Sequence, residues 1–381
     1  MSMYDLQKLQ HLSHAGDLDV DGAACGRTVE NSTEGIVLTR AQLPNGRSTT
    51  LLKSLLTSVC ENNCYYCPFR SDRDFKRETF SPDEFANLVV NLTRAGLIQG
   101  VFLSSGVAGG GIATEDRLLK TAEILRYKKQ YQGYLHLKIM PGAEYDQVLQ
   151  AMRLADRVSI NLEAANAVRL PRLAPQKDFE KQLLRPLGWI ESIRRSLPPM
   201  NTWKNRWPSS CTQFVVGGAG ESDRELLETT QDLHQNYGLL RAYYSAFRPH
   251  RDTPLENWPA ASYRRELRLY QADYLIRDYG FTHDELDYTI EGNLIAEVDP
   301  KKAWAERNLR QNPVEINQLP KEELRRIPGI GLKNAEKIIK LRRISKIRDI
   351  SGLEKLGINT QRMRDFILVN GQRPSQQLSL F

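Results

Sequence analysis

The chain of 381 residues lacks the marks of a membrane or exported protein. No apolar run approaches the roughly 20 residues that a membrane span needs. The first residues, MSMYDLQKLQHLSHAGDLDV, carry neither an apolar core nor a small-residue cleavage site, so a cytoplasmic location is expected. Cysteine is scarce and odd in number, at five, which does not suit a disulfide framework. What is present is 40% hydrophobic, 26% charged and 8% aromatic, the composition of a soluble globular chain. The length suits roughly two to three domains.

Charge is unevenly placed. Residues 301–381 hold 18 Lys and Arg against 8 Asp and Glu, a net of +10, while the preceding 300 residues carry 35 against 38. The basic excess therefore belongs to the last fifth of the chain, as in a module that meets a polyanion.

Residues 1–50 show no clear periodicity and are read as an N-terminal extension. Short apolar runs follow at 51–59, 100–105, 134–140, 156–163, 211–217 and 239–247, separated by amphipathic segments. Helices are predicted to open at Ser81-Pro82-Asp83-Glu84, at Ser222-Asp223-Arg224-Glu225 and at Thr114. Six strands with helices between them predict an α/β chain with a parallel sheet, open or curled into a barrel. The gap between the fourth and fifth runs holds a helical stretch near 178–196 and several prolines, and reads as an insertion over one barrel end. The expected domains are the barrel at 51–254, a helical and irregular connector at 255–312, a small all-α domain at 313–370, and a flexible tail at 371–381.

Cys60, Cys64 and Cys67 stand in a C-x3-C-x2-C loop directly after the first barrel strand. Three thiolates can hold three irons of a cubane and leave the fourth open to a small molecule. Zinc is the alternative, but no histidine or fourth cysteine lies at a suitable local spacing. The loop, with Tyr66 as an aromatic neighbour of the last cysteine, resembles the signature of the radical S-adenosylmethionine (radical SAM) enzymes. The resemblance implies a partial (β/α)6 TIM-like barrel with a 4Fe–4S cluster on Cys60, Cys64 and Cys67 as the catalytic centre. It further implies reductive cleavage of S-adenosylmethionine to a 5′-deoxyadenosyl radical, with electrons from a donor such as flavodoxin or ferredoxin.

Under that resemblance the later strand ends acquire roles, since barrel chemistry sits at strand C-termini. Ser104, Ser105 and Gly106 end the second strand where the family's glycine-rich segment meets the cofactor's amino group, although the family's usual Gly-Gly-Glu is absent. Ser159, Asn161 and Glu163 alternate on the fourth strand and share one face. If that face is inward, Asn161 and Glu163 are set to hydrogen-bond the ribose; otherwise they form an ordinary polar layer. Gly217, Gly218 and Glu221 resemble the adenine-packing turn. Lys138, Tyr243 and Ser245 are expected to face the cavity and Tyr244 to face outward. Cys25 and Cys211 are isolated, and Cys211, read as preceding its strand, is assigned to the core.

In the basic region, one helix from about 316 stops at Ile327-Pro328-Gly329-Ile330-Gly331 and a second runs over 332–343, with Ala335, Ile338, Ile339 and Leu341 as its apolar stripe. This pair resembles a helix-hairpin-helix motif. Gly329 and Gly331 would turn backbone amides outward at a helix N-terminus, with Lys333 and Lys337 adding charge for DNA phosphates. A degenerate second copy is expected, its closing helix at 360–369. The terminal Gln377, Leu378, Leu380 and Phe381 resemble the peptide that docks bacterial repair proteins on the sliding clamp, which implies association with the nucleoid.

Together with Asn31-Ser32-Thr33-Glu34-Gly35 and the 51–56 run, these features resemble a radical SAM branch assigned to DNA modification or repair. Members of that branch tend to occur with a glycosylase-like DNA-metabolism protein. Two alternatives stay open: a tRNA or rRNA modifier, and a non-catalytic iron–sulfur adaptor that binds DNA.

Overall fold

The computed structural model describes residues 3–16, 28–29, 36, 38–42 and 48–374. Cys25, residues 31–35 and the terminal Gln377, Leu378, Leu380 and Phe381 lie outside the described residues. The chain divides into two compact units, residues 1–221 with 232–266 and residues 222–231 with 267–381.

The first unit is an α/β half-barrel. Its elements are α1 (Met3–Gly16), β1 (Thr28–Val29), β2 (Leu38–Gln42), β3 (Ser48–Leu55), α2 (Pro82–Arg94), β4 (Gly100–Ser104), α3 (Gly110–Glu123), β5 (Tyr134–Lys138), α4 (Tyr145–Leu154), β6 (Arg157–Ser159), α5 (Arg185–Ser196), β7 (Ser209–Val216), the end of α6 (Asp223–Asn236), β8 (Arg241–Ala246) and the start of α7 (Tyr263–Tyr279). The eight strands form one curled sheet in chain order. Strands β1 to β3 pair antiparallel, and β3 to β8 are parallel throughout. All six predicted barrel strands are present. The N-terminal extension, read as lacking periodicity, adds two short strands to the sheet edge.

Strand β4 and nearly all of β7 are buried on both faces, as expected of parallel strands covered by helices. Gln213 and Val215 of β7 line a cavity inside the curl. Phe214 stacks on Tyr244 with ring centroids 5.9 Å apart, and neither ring lines the cavity. Cys211 is buried, as expected of a core residue, but it lies within β7 rather than ahead of it.

The helix starts show what local sequence can and cannot reveal. Helix α2 opens with the predicted capping box. The Ser81 hydroxyl accepts the Glu84 amide at 3.3 Å, and the Glu84 carboxylate accepts the Ser81 amide at 2.7 Å. Helix α3 opens at Gly110, four residues before the predicted Thr114. Its cap is the carboxylate of Glu61, which accepts from the amides of Gly109 and Gly110 across 48 and 49 residues of chain. Thr114 instead sits one turn into the helix, its hydroxyl donating to the Gly110 carbonyl at 2.8 Å.

Below the sheet, the fully buried Arg126 pairs with Asp156 at 2.9 Å. Its Nε donates to the Leu154 carbonyl and its Nη1 to the carbonyls of Tyr131 and Gly133. Each guanidinium nitrogen thus has an acceptor, which is the condition under which a buried charge is tolerated.

The second unit contains the start of α6, the rest of α7, α8 (Pro300–Asn308), β9 (Val314–Glu315), α9 (Lys321–Arg326), α10 (Leu332–Ile344), α11 (Ser351–Glu354) and β10 (Ile367–Leu368). Ile316, Leu324, Ile327, Ile330, Ala335, Ile338, Leu353, Met363 and Ile367 form its apolar core. The expectation of an all-α domain is corrected: β9 and β10 pair in parallel. The predicted closing helix at 360–369 is a turn and a short 3-10 segment that leads into β10. The apolar, β-rich run Ile367-Leu368-Val369 finds a backbone partner in Val314-Glu315-Ile316, with the Ile316 amide donating to the Leu368 carbonyl at 3.0 Å.

Candidate active site

The cysteine loop follows β3 and is fastened on two sides. The Glu61 amide donates to the Val107 carbonyl at 2.7 Å, tying the loop to the end of β4. The Tyr65 amide donates to the Leu173 carbonyl at 2.7 Å, and the Asn63 amide to the Gln176 side chain at 2.8 Å. The insertion between β6 and β7 therefore buttresses the loop. Gly106 is required by close approach: a Cβ there would lie 2.2 Å from the Val59 carbonyl oxygen.

A cavity of about 640 Å³ opens at the C-terminal ends of the parallel strands. Cys60, Cys64, Tyr66 and Cys67 line one side; Ser104, Ser105, Gly106, Lys138, Asn161, Glu163 and Ser245 line it from later strands. Asn161 and Glu163 line the cavity, but the predicted alternation is not kept: Ile160 lines it too, while Ser159, the last residue of β6, does not and shares a hydrogen bond with His136 at 2.9 Å. Tyr243 does not line the cavity; its hydroxyl accepts from Arg157 at 3.1 Å. Gly217, Gly218 and Glu221 also fall outside the lining, and the Glu221 carboxylate accepts the amides of Gly217 and Ala219 within its own turn.

The cavity holds an ion pair that sequence reasoning missed. Lys177, from the insertion, donates to Glu163 Oε1 at 3.0 Å, and the Tyr66 hydroxyl donates to Glu163 Oε2 at 2.7 Å. Lys177 and Glu163 are both nearly inaccessible to solvent. Glu163 adopts φ +67°, a left-handed conformation that aims its carboxylate between these partners. Burial opposes the Lys177 charge, but Glu163 outweighs it and holds the ammonium above its ordinary range. Burial pushes the Cys64 and Cys67 thiols up, and raises Tyr66 well above a free phenol. Also missed were Arg248, His250, Tyr263 and Glu266, which line the cavity beyond β8 where no strand pattern marks them.

Residues 54–233 match the family model described as the Radical SAM superfamily. The chain carries a radical SAM domain. The family works with a 4Fe–4S cluster and S-adenosylmethionine. Among solved structures it is similar to methylornithine synthase (PylB), at 14% identity and a TM-score of 0.44, covering 58% of this chain and 60% of that one. It is similar also to the FeFe-hydrogenase maturase HydG from Carboxydothermus hydrogenoformans, at 14% identity and a TM-score of 0.46, covering 58% and 50%. The radical S-adenosylmethionine methyltransferase TsrM from Kitasatospora setae is a third, at 14% identity and a TM-score of 0.38, covering 53% and 38%. The chain spans less than two thirds of each of these proteins. No curated protein matches it.

The residues present suit the radical SAM cofactors. The three loop thiols are free of disulfides and share one cavity wall. Burial keeps Cys64 and Cys67 protonated until a cation compensates their charge, which is what iron supplies to a thiolate. Among the described residues, no three His, Cys, Asp or Glu side chains are set for a single metal ion. A cubane instead takes each thiolate on a different iron.

In the second unit, the 327–331 turn joins α9 and α10 as predicted, with Gly329 at φ +85°. Lys333 is exposed on the first turn of α10, while Lys337 donates to the Leu356 carbonyl at 2.9 Å. The first α10 amide is already engaged, because the Leu332 amide hydrogen-bonds to the Tyr279 hydroxyl. Lys301 Nζ donates to the Ile330 carbonyl at 2.7 Å, and burial lowers its pKa to about 7. A separate open cleft of about 670 Å³ is lined by Arg342, Arg343 and Lys346 together with Asn317, Gln318 and Asn370.

Proposed function

We propose that this radical SAM enzyme modifies or repairs DNA. In this reading Cys60, Cys64 and Cys67 hold the cluster, and Ser104, Ser105, Gly106 and Asn161 contact S-adenosylmethionine. Cleavage of the bound cofactor supplies a radical that abstracts hydrogen from the substrate. Tyr66 and Lys177 orient the Glu163 carboxylate toward the ribose position. Gly217, Gly218 and Glu221 shape the turn behind that position. The cluster draws electrons from a donor such as flavodoxin or ferredoxin.

The observation that carries the DNA reading is the +10 charge of residues 301–381, set against a near-neutral remainder. Two surfaces of the C-terminal unit suit a phosphate backbone. One is the 327–331 turn with Gly329, Gly331, Lys333 and Lys337; the other is the cleft with Arg342, Arg343 and Lys346. Such contacts read the polymer rather than its sequence. Gln377, Leu378, Leu380 and Phe381 are proposed to dock on a bacterial sliding clamp, bringing the enzyme to replicated DNA, and a glycosylase-like DNA-metabolism protein is a proposed partner.

The direct test uses deuterated DNA with the reconstituted, reduced enzyme and S-adenosylmethionine. Deuterium appearing in 5′-deoxyadenosine identifies DNA as the hydrogen source. Release of unlabelled 5′-deoxyadenosine only, with DNA deuterated at every carbon position, contradicts the proposal.

A further inference from the structure

The β8 end of the barrel cavity carries three side chains for which the cluster and cofactor roles have no use. Arg248, His250 and Tyr263 all line it, whereas the thiols line it from the loop after β3, at the other end of the parallel run. Arg248 is exposed, and its guanidinium has no hydrogen bond or ion pair with any described residue. Its acidic neighbour Glu266 is committed elsewhere, accepting the Ala246 amide at 2.9 Å. Tyr263, at the start of α7, is 63% exposed although it lines a cavity. His250 is half-buried, and burial together with Arg73 holds its imidazole below the ordinary histidine value, so it is a neutral hydrogen-bonding group at pH 7.

Each group has a natural complement. An unpaired planar guanidinium suits a phosphate. An open phenol face suits a flat ring, and a neutral imidazole can both donate and accept at that ring's edge. A small aliphatic acid would use the cation and leave the ring idle.

We infer that this wall recognises a single nucleotide, its phosphate on Arg248, its base against the Tyr263 ring and His250 at the base edge. The inference rests on the DNA reading above and adds how one displaced nucleotide is held in the barrel.

The probe is 2-aminopurine deoxyriboside 5′-monophosphate, titrated by fluorescence into enzyme loaded with cluster and S-adenosylmethionine, beside the same nucleoside without phosphate. The wild type is expected to favour the monophosphate. Arg248→Ala weakens the monophosphate about tenfold and leaves the nucleoside unchanged. Tyr263→Ala weakens both ligands, and Tyr263→Phe, which keeps the ring, weakens neither. Cluster absorbance and thermal melting establish that each variant is folded. Equal wild-type affinity for the two ligands, or an unaltered monophosphate affinity in Arg248→Ala, overturns the inference. DNA-stimulated cofactor cleavage on the same preparations separates the two readings. Stimulation without nucleotide binding removes the wall and keeps DNA as substrate. Nucleotide binding without stimulation keeps the wall and removes the polymer.

Discussion

The two units use charge in opposite ways. In the barrel, the cations that matter are buried and paired: Arg126 with Asp156 at 2.9 Å, Lys177 with Glu163 at 3.0 Å. In the C-terminal unit, Lys333, Arg343 and Lys346 are exposed. A buried pair fixes geometry, because each partner is costly without the other. Exposed cations fix little locally and act through their sum, which is how a polyanion is met. The barrel site is therefore defined by individual contacts, and the C-terminal surface by a balance.

The largest effect expected on the barrel side is from Cys64→Ala, which should abolish cluster assembly, read as iron content and cluster absorbance. Retention of a full cluster would remove Cys64 from the ligand set. Arg126→Met should cost about 3 kcal/mol in denaturant unfolding, since Asp156 loses its buried partner and keeps only the more exposed Lys204 and Arg206 and the Leu135 amide. A loss below 1 kcal/mol would show that the pair contributes little. Lys177→Met should cost about 3 kcal/mol in the cluster-free protein, and adding Glu163→Gln should recover most of it by removing the orphaned charge. Additive losses in the double variant would break the claim that the pair acts as a unit.

A pH effect comes next. Glu115 is wholly buried, and burial lifts its carboxyl from 4.5 to about 8. The folded state therefore holds a proton that the unfolded chain releases. Its stabilising effect is complete below pH 4.5 and is lost as pH rises through about 8. Wild-type stability should fall across that window relative to Glu115→Gln, read as diverging melting curves. Parallel curves would contradict the burial argument. The smallest single effects are expected on the C-terminal side. Alanine at Arg343 or Lys346 should weaken DNA binding uniformly across sequences and lower the salt slope by about one each. A sequence-selective loss would mean that these cations read bases.

Much of the barrel was legible because its signals are local. Strand runs, the Ser81 capping box and the spacing of three cysteines are each read within about ten residues of chain. What escaped depends on contacts distant in sequence. Glu61 caps α3 from 48 residues away, and Lys177 reaches Glu163 from an insertion with no pattern of its own. In the C-terminal unit, residues 360–369 read as helix because their apolar spacing allows it, yet a parallel partner at Val314 makes the end a strand. The wall beyond β8 was missed because loops that line a cavity carry no periodicity.

The most direct test is anaerobic release of 5′-deoxyadenosine by the reduced, cluster-loaded enzyme with S-adenosylmethionine. It is run alone, with duplex DNA, with single-stranded DNA and with tRNA, with Cys64→Ala as the zero. The account predicts cleavage that DNA stimulates and tRNA does not. Stimulation by tRNA alone, or no cleavage in any mixture despite an intact cluster, would contradict it.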